Sequence, residues 1–214
     1  SHNLVNGMFW RAFKVKLNKA RAAVCGLPAR NKLWNDFPLL YGISPNLLPQ
    51  PADWPEHVRM CGQWLYPAES WTPPLELEDF LLAGSPPLYF GFGSMSGYDQ
   101  AQMLDILVRS LRGRRALFCP GWNGMKHSEL PSNILAIGNV PHDWLFPQTA
   151  AVIHHGGVGT THSAARAGKP SIVVPFIGDQ FFWADRLAKL GIAPAPVSVS
   201  KLNAPVLHST CAIT

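Results

Sequence analysis

From Leu88 onward the chain alternates short apolar runs with helical segments, and no other feature limits its fold as tightly. Leu88–Phe92, Ala116–Cys119, Ile134–Ile137, Ala151–His154 and Ser171–Pro175 are runs of strand length, dense in apolar residues. Helical segments are expected over Gln100–Arg112, Thr160–Ala167 and Phe182–Leu190. Runs that stay apolar rather than alternating suit strands covered on both faces. Strands separated by helices demand right-handed crossovers, and these give a parallel sheet with helices on both sides. The expected fold class is therefore α/β, a doubly wound parallel sheet over residues 88–214. In such sheets ligands bind outside the carboxyl ends of the strands, near the point where strand order reverses. The loops that follow the strands are where chemistry is to be sought.

The chain before Leu88 has a different texture. Residues 4–27 read as one helix, with Phe9, Phe13, Leu17 and Ala20 recurring at helical spacing. Gly26 and Pro28 stop it. Residues 44–87 then hold nine prolines, including Pro73-Pro74 and Pro86-Pro87. Such a stretch cannot carry long helices or central strands and reads as an extended connector. A short strand is expected within it at His57–Gly62.

The charge is uneven. Arg11, Lys14, Lys16, Lys19, Arg21, Arg30 and Lys32 precede the first acid, Asp36. No nucleic-acid recognition motif accompanies this basic stretch. Two readings remain open for it: a solvated helix face, or contact with an anionic membrane surface aided by Phe9, Trp10 and Phe13. Apolar runs such as Ser171–Phe176 fall far short of the roughly 20 residues that span a bilayer. The start, Ser1-His2-Asn3, lacks the basic and apolar regions of a secretory signal. Cys25, Cys61, Cys119 and Cys211 are scattered, without a C-x-x-C pair, which favours reduced thiols and a cytoplasmic protein.

The most informative loop is His154-His155-Gly156-Gly157-Val158-Gly159-Thr160-Thr161, set between a strand and a helix. Its glycines let backbone approach a ligand and adopt positive φ. The helix start offers unpaired N–H groups and the positive end of the dipole, an environment suited to a diphosphate. Thr160 and Thr161 can add hydroxyl donors, and a strand-end histidine one bond more. Taken alone, the same loop also reads as a tight turn with a capping threonine. His154 and His155 are adjacent, so their side chains point to opposite faces, and no carboxylate or thiolate stands at ligand spacing. No metal and no cofactor are expected.

Two further loops carry polar groups. Gly91-Phe92-Gly93-Ser94-Met95-Ser96-Gly97 misses the dinucleotide fingerprint because its third glycine falls one place late. The next strand ends in Pro120-Gly121-Trp122, without the acid that would hold a ribose, so a nicotinamide-dependent dehydrogenase is disfavoured. Ser94 remains a phosphate or substrate contact. At the end of the last strand stands Phe176-Ile177-Gly178-Asp179-Gln180, where a carboxylate beside an amide can serve several sugar hydroxyls. The alternative for Asp179 is an N-cap on the helix that follows.

Together these loops resemble a known signature. VPHDWLFPQTAAVIHHGGVGTTHSAARAGKPSIVVPFIGDQFFWADRLAKLGIAP, Val140 to Pro194, is similar to the donor-binding region of family 1 UDP-glycosyltransferases of the GT-B fold. The nearest patterns are those of sterol and other lipid glucosyltransferases and of bacterial enzymes that glycosylate natural products. GFGSM at Gly91–Met95 and DWP…CG from Asp53 to Gly62 extend the match, which covers roughly residues 44–205. The resemblance implies a Rossmann-like C-terminal donor domain at 88–214, shortened at its C-terminus. It implies an interdomain connector at 61–87 and a remnant of the N-terminal acceptor domain at 1–60.

The resemblance also implies roles. His155 matches the histidine at the donor diphosphate, with Gly157, Gly159 and Thr160 as the phosphate cradle and Ser94 near the β-phosphate. Asp179 and Gln180 match the pair that bonds the sugar hydroxyls. Val140 sits where backbone reads the pyrimidine, and Trp122 packs near that base. Plant members have a glutamate for the ribose hydroxyls where this chain has Ser163. The implied reaction is hexose transfer, with inversion, from a UDP-sugar such as UDP-glucose to a hydroxyl of a lipid, sterol or other small acceptor. A helix N-terminus, a histidine and hydroxyls suit the charge building on the leaving diphosphate. The general base of similar enzymes lies in their N-terminal domain, and no residue of this chain is assigned to that role. Three readings follow: a donor half with little turnover of its own, a subunit completed by an acceptor-domain partner chain, and, less favoured, a sugar-nucleotide epimerase. Self-association through the first helix and peripheral membrane contact complete the expected partners.

Overall fold

The computed structural model describes residues 2–32, 37–65, 71–95, 98–120 and 130–213. The chain divides into two compact units, Ser1–Tyr41 with Pro51–Arg59, and Gly42–Gln50 with Met60–Thr214.

The first unit is led by helix α1, His2–Cys25. Gly26 ends it in the left-handed region, at φ +62°, where its N–H reaches Ala22 O and the next N–H, of Leu27, reaches Arg21 O. The chain then folds back along the helix. The Asn18 side chain donates to Arg30 O and accepts from Arg30 N, both at 2.9 Å, and Trp10 Nε1 donates to Asn31 O at 2.8 Å. Trp10 is buried, whereas Met8, Phe9, Phe13 and Leu17 are exposed. Strands β1, Leu39–Tyr41, and β2, Val58–Met60, pair as a two-stranded sheet, with Tyr41 resting on Trp54.

The second unit holds the parallel sheet read from the sequence. Its strands are β3 (Leu88–Gly91), β4 (Ala116–Cys119), β5 (Ile134–Ala136), β6 (Ala151–His154) and β7 (Ser171–Val173), in the spatial order β5-β4-β3-β6-β7. Every pairing is parallel, with Gly91 opposite both Cys119 and His154. Strand alternation sends Leu88, Phe90, Ile153 and Ile172 to one face. There they pack with Met103 and Leu107 of α3 (Gln100–Leu111) and Leu207 of α7 (Ala204–Ile213). Tyr89, Leu117 and Val152 face the other side, where they meet α2 (Leu75–Leu82), α4 (His142–Leu145) and α5 (Val158–Arg166). Helix α6, Gln180–Lys189, joins that second face through Trp183, Ala184 and Leu187 packed on Val173. A sheet covered on both sides explains why its strands are apolar at successive positions.

The connector is more structured than a plain extended segment. Residues 42–50 belong to the second unit because Leu47 is buried against Trp183, Ala184 and Leu187. Ser44 N donates to His162 Nε2 at 3.0 Å, and Arg186 Nε donates to Leu47 O at 2.5 Å. Within the proline-rich 61–87 span, α2 buries Leu77 among Tyr89 and Leu117.

Strand order reverses at the centre of the sheet. From β3 the chain moves to β4 on one side, and β6 pairs with β3 on the other. The loops after β3 and β6 therefore leave the carboxyl edge on either side of a crevice, the place where open α/β sheets hold ligands.

Candidate functional site

The loop after β6 turns through Gly156 at φ +90°, where a side chain is excluded twice over. Besides the backbone strain, a Cβ there would come within 2.8 Å of Val173 and 3.0 Å of Gln180 O. Gly157 is the N-cap of α5, in an extended conformation, and no side chain among the described residues caps the helix. Thr161 N makes the bond to Gly157 O, so the amides of Val158, Gly159 and Thr160 stand ahead of the first intrahelical bond. Uncapped amides and the dipole of α5 form a site for negative charge. Gly159 is exposed with open space around it, and Thr160 is half-buried.

The two histidines divide their work. His154 is fully buried at the strand end, and its Nδ1 accepts from Gly156 N at 3.1 Å. Its proton therefore sits on Nε2, which is buried without a partner among the described residues. Burial, reinforced by His155 and His142 nearby, pushes its pKa down to about 3, so the ring is neutral. His154 shapes the loop from below. His155 sits in the loop itself, its Cε1 3.3 Å from where a Cβ on Gly93 would lie and its Nε2 against Gly157. Burial also lowers its pKa, and Asp179 partly opposes this. Its Nδ1 is buried without a partner among the described residues.

Asp179 precedes α6 with helical backbone angles, φ −69° and ψ −13°, and its side chain does not cap the helix. The N-cap alternative is thus not realised, and the exposed carboxylate stays available beside His155. Gln180 turns inward: its oxygen accepts from Phe176 N at 2.8 Å and Ile177 N at 3.1 Å, and its nitrogen donates to Met95 Sδ at 3.1 Å. Ser94 is exposed in the turn after β3, next to Gly93 at φ +58°.

Three loops from three strands therefore meet. Gly93 touches His155, Asp179 lies beside His155, Gly156 packs on Gln180, and Gln180 reaches Met95. Val140 is buried between β5 and α4 at the same edge of the sheet. Trp122 lies outside the described residues. Ser163 is buried, and its hydroxyl accepts from Gln63 Nε2 at 3.4 Å, while Gln63 accepts from Arg166, which also pairs with Asp143. Sequence reasoning offered a strand-end histidine to the ligand but did not give His154 its place beneath the loop, and it gave Met95 no place in the site. Their signals were a strand-end residue of opposite parity to His155 and a sulfur one residue beyond Ser94.

Amide donors at an uncapped helix start, a neutral imidazole and two hydroxyls, Thr160 and Ser94, suit a phosphate-bearing ligand. The Asp179–Gln180 end suits a neutral, hydroxylated one.

Comparison with known proteins bears on the fold and on the relatives of the chain. Residues 119–213 match the family described as Erythromycin biosynthesis protein CIII-like, C-terminal domain. The chain is 36% identical over 221 residues to the sterol 3-beta-glucosyltransferase UGT80B1 of Arabidopsis thaliana, covering 98% of this chain and 36% of that protein. It is 39% identical over 210 residues to O-mycaminosyltylonolide 6-deoxyallosyltransferase of Streptomyces fradiae, covering 94% of this chain and 48% of the relative. The chain thus spans less than half the length of either relative. Among solved structures, the glycotransferase of kitacinnamycin shares the fold with a TM-score of 0.70 at 20% identity, over 97% of this chain and 53% of that one. The chain is similar to sterol and natural-product glycosyltransferases, and its parallel-sheet unit has the Rossmann-like fold of the C-terminal, donor-binding half of a GT-B glycosyltransferase.

Proposed function

We propose that the chain binds a UDP-sugar, UDP-glucose foremost, and supplies the donor half of an inverting hexosyl transfer. The acceptor is a hydroxyl of a sterol, another lipid or a small molecule. One observation carries the reading: the uncapped start of α5, with His155 beside it, faces the loop of Ser94 across the strand-order reversal, with the loop of Asp179 on its own side.

Negative charge develops on the diphosphate as the anomeric bond breaks. The α5 amides, the Thr160 hydroxyl and a neutral His155 N–H stabilise that charge more in the transition state than in the ground state. Val140 backbone holds the base, and Asp179 with Gln180 holds the sugar. Attack by the acceptor oxygen on the face opposite the diphosphate inverts the anomeric carbon. The acceptor proton goes to a base outside this chain's assigned residues. A second reading is a donor-binding subunit that turns over only beside an acceptor-domain partner. Single-turnover release of UDP from UDP-glucose, with and without a sterol, separates the two. Release that rises with sterol supports transfer by this chain, and binding without release supports the subunit.

The proposal extends to place. The protein works in the cytoplasm at an anionic membrane face, with Lys14, Lys16, Lys19 and exposed Phe9 and Phe13 on α1 as the contact. Co-sedimentation with vesicles of phosphatidylserine tests this, and loss of the interaction at high salt is the expected signature.

A further inference from the structure

Gln180 is 5% exposed at the start of α6, and its side-chain oxygen accepts from two converging backbone N–H groups, of Phe176 and Ile177. Two donors at one place fix the orientation of the amide, because its NH2 there would meet them donor to donor. Both lone pairs of the oxygen are then in use, and the nitrogen is turned to the loop after β3. There its partner is the thioether of Met95, at 3.1 Å. A thioether is a weak acceptor, so a good donor is held on a poor partner beside the exposed carboxylate of Asp179.

We infer that Met95 is a stand-in acceptor: it holds the Gln180 N–H, which the two backbone donors aim into the crevice, and competes weakly for it with a sugar hydroxyl. The inference rests on the donor reading above and adds a polarity to it. Gln180 can only donate to the sugar, since its oxygen is committed to backbone, and ionised Asp179 can only accept. The pair therefore reads hydroxyls from both sides. Met95 is a positioning residue that acts on the sugar end through Gln180.

The test is calorimetric titration of UDP and of UDP-glucose into the 214-residue chain and into Met95→Leu, Gln180→Glu and the double variant. Leu is close to Met in volume, so packing is kept. Met95→Leu is expected to leave UDP affinity unchanged and to tighten UDP-glucose by about two- to tenfold, the worth of one ordinary hydrogen bond. Gln180→Glu keeps an acceptor for both backbone amides but has no N–H to give. UDP-glucose is expected to weaken by about tenfold more than UDP does, because the added charge acts on the diphosphate of both ligands and cancels in their ratio. In the double variant the gain from Met95→Leu disappears, because its route runs through the amide. The inference is overturned if Met95→Leu leaves UDP-glucose unchanged or weaker while wild-type UDP binding is intact. A gain that persists with Gln180→Glu, or an unchanged ratio of UDP-glucose to UDP affinity in Gln180→Glu alone, also overturns it. If the wild-type chain binds neither ligand, the donor reading falls and takes the inference with it.

Discussion

The imidazole of His155 lies directly against Gly157, so closely that a Cβ on Gly157 would overlap Nε2. A single hydrogen at that position lets a neutral ring and the first amides of α5 share one small volume. The chain direction is fixed by Gly156, and the ring is closed in from the other side by Gly93. Cradle and histidine are therefore one object, and a change in either moves both.

Gly157→Ala tests that coupling. Gly157 has ordinary extended angles, φ −61° and ψ 141°, so alanine brings no backbone strain there. The methyl instead displaces the His155 ring. Affinity for UDP is expected to fall by about 1–3 kcal/mol, the range for losing a bond to a charged group. The melting temperature should change little, and calorimetry beside a thermal scan reads both. An unchanged affinity would mean that the ring is free to move without cost to the ligand.

Asp179 separates sugar from nucleotide. Its carboxylate caps nothing, so Asp179→Ala removes no helix bond. UDP-glucose affinity is expected to fall by about 1–3 kcal/mol while UDP affinity is kept. Equal losses for the two ligands would make Asp179 a support of the loop instead.

His154 predicts a pH dependence of stability. Its pKa falls from the ordinary 6.5 to about 3 in the fold, because burial excludes the charged ring. The unfolded chain takes up this proton below pH 6.5 and the folded chain does not. The contribution to stability is thus whole above pH 6.5 and is lost progressively as pH falls toward 3. Between about pH 7 and pH 5 the loss is up to about 2 kcal/mol for this one group. His142, lowered to about 4 by burial, adds in the same sense. His154→Asn keeps an acceptor for Gly156 N and should flatten the slope of denaturant midpoint against pH. An identical slope would show that other groups carry it.

Helix α1 exposes Met8, Phe9 and Phe13, at 64%, 59% and 49%. Contiguous apolar surface of that kind promotes association. Sedimentation velocity at rising concentration is expected to show self-association, reduced in Phe9→Ser/Phe13→Ser. A monomer at every concentration would contradict this.

The sheet was legible because each strand is a short apolar run and each following helix keeps its own period. All five strand segments lie where those runs do. The connector was less so. Helix α2 has eight residues and follows Pro74, and α7, with a proline at Pro205 and few clear periodic contacts, gives little local signal. The docking of residues 42–50 depends on Leu47 meeting Trp183 and Leu187 far along the chain, which no local pattern announces. In the site, the glycine-rich turn and the helix start were readable because backbone chemistry dictates them. The inward amide of Gln180 was not, since its partners are two backbone amides and Met95 brought in by the packing of β3 and β7 loops.

The most direct measurement is calorimetric titration of the chain with UDP, beside His155→Ala. Saturable binding of UDP by the wild-type chain is expected, weakened by about 1–3 kcal/mol in the variant. Equal affinity in the two proteins, or no binding by the wild-type chain, would contradict the claim that the His155 loop and the start of α5 form a diphosphate site.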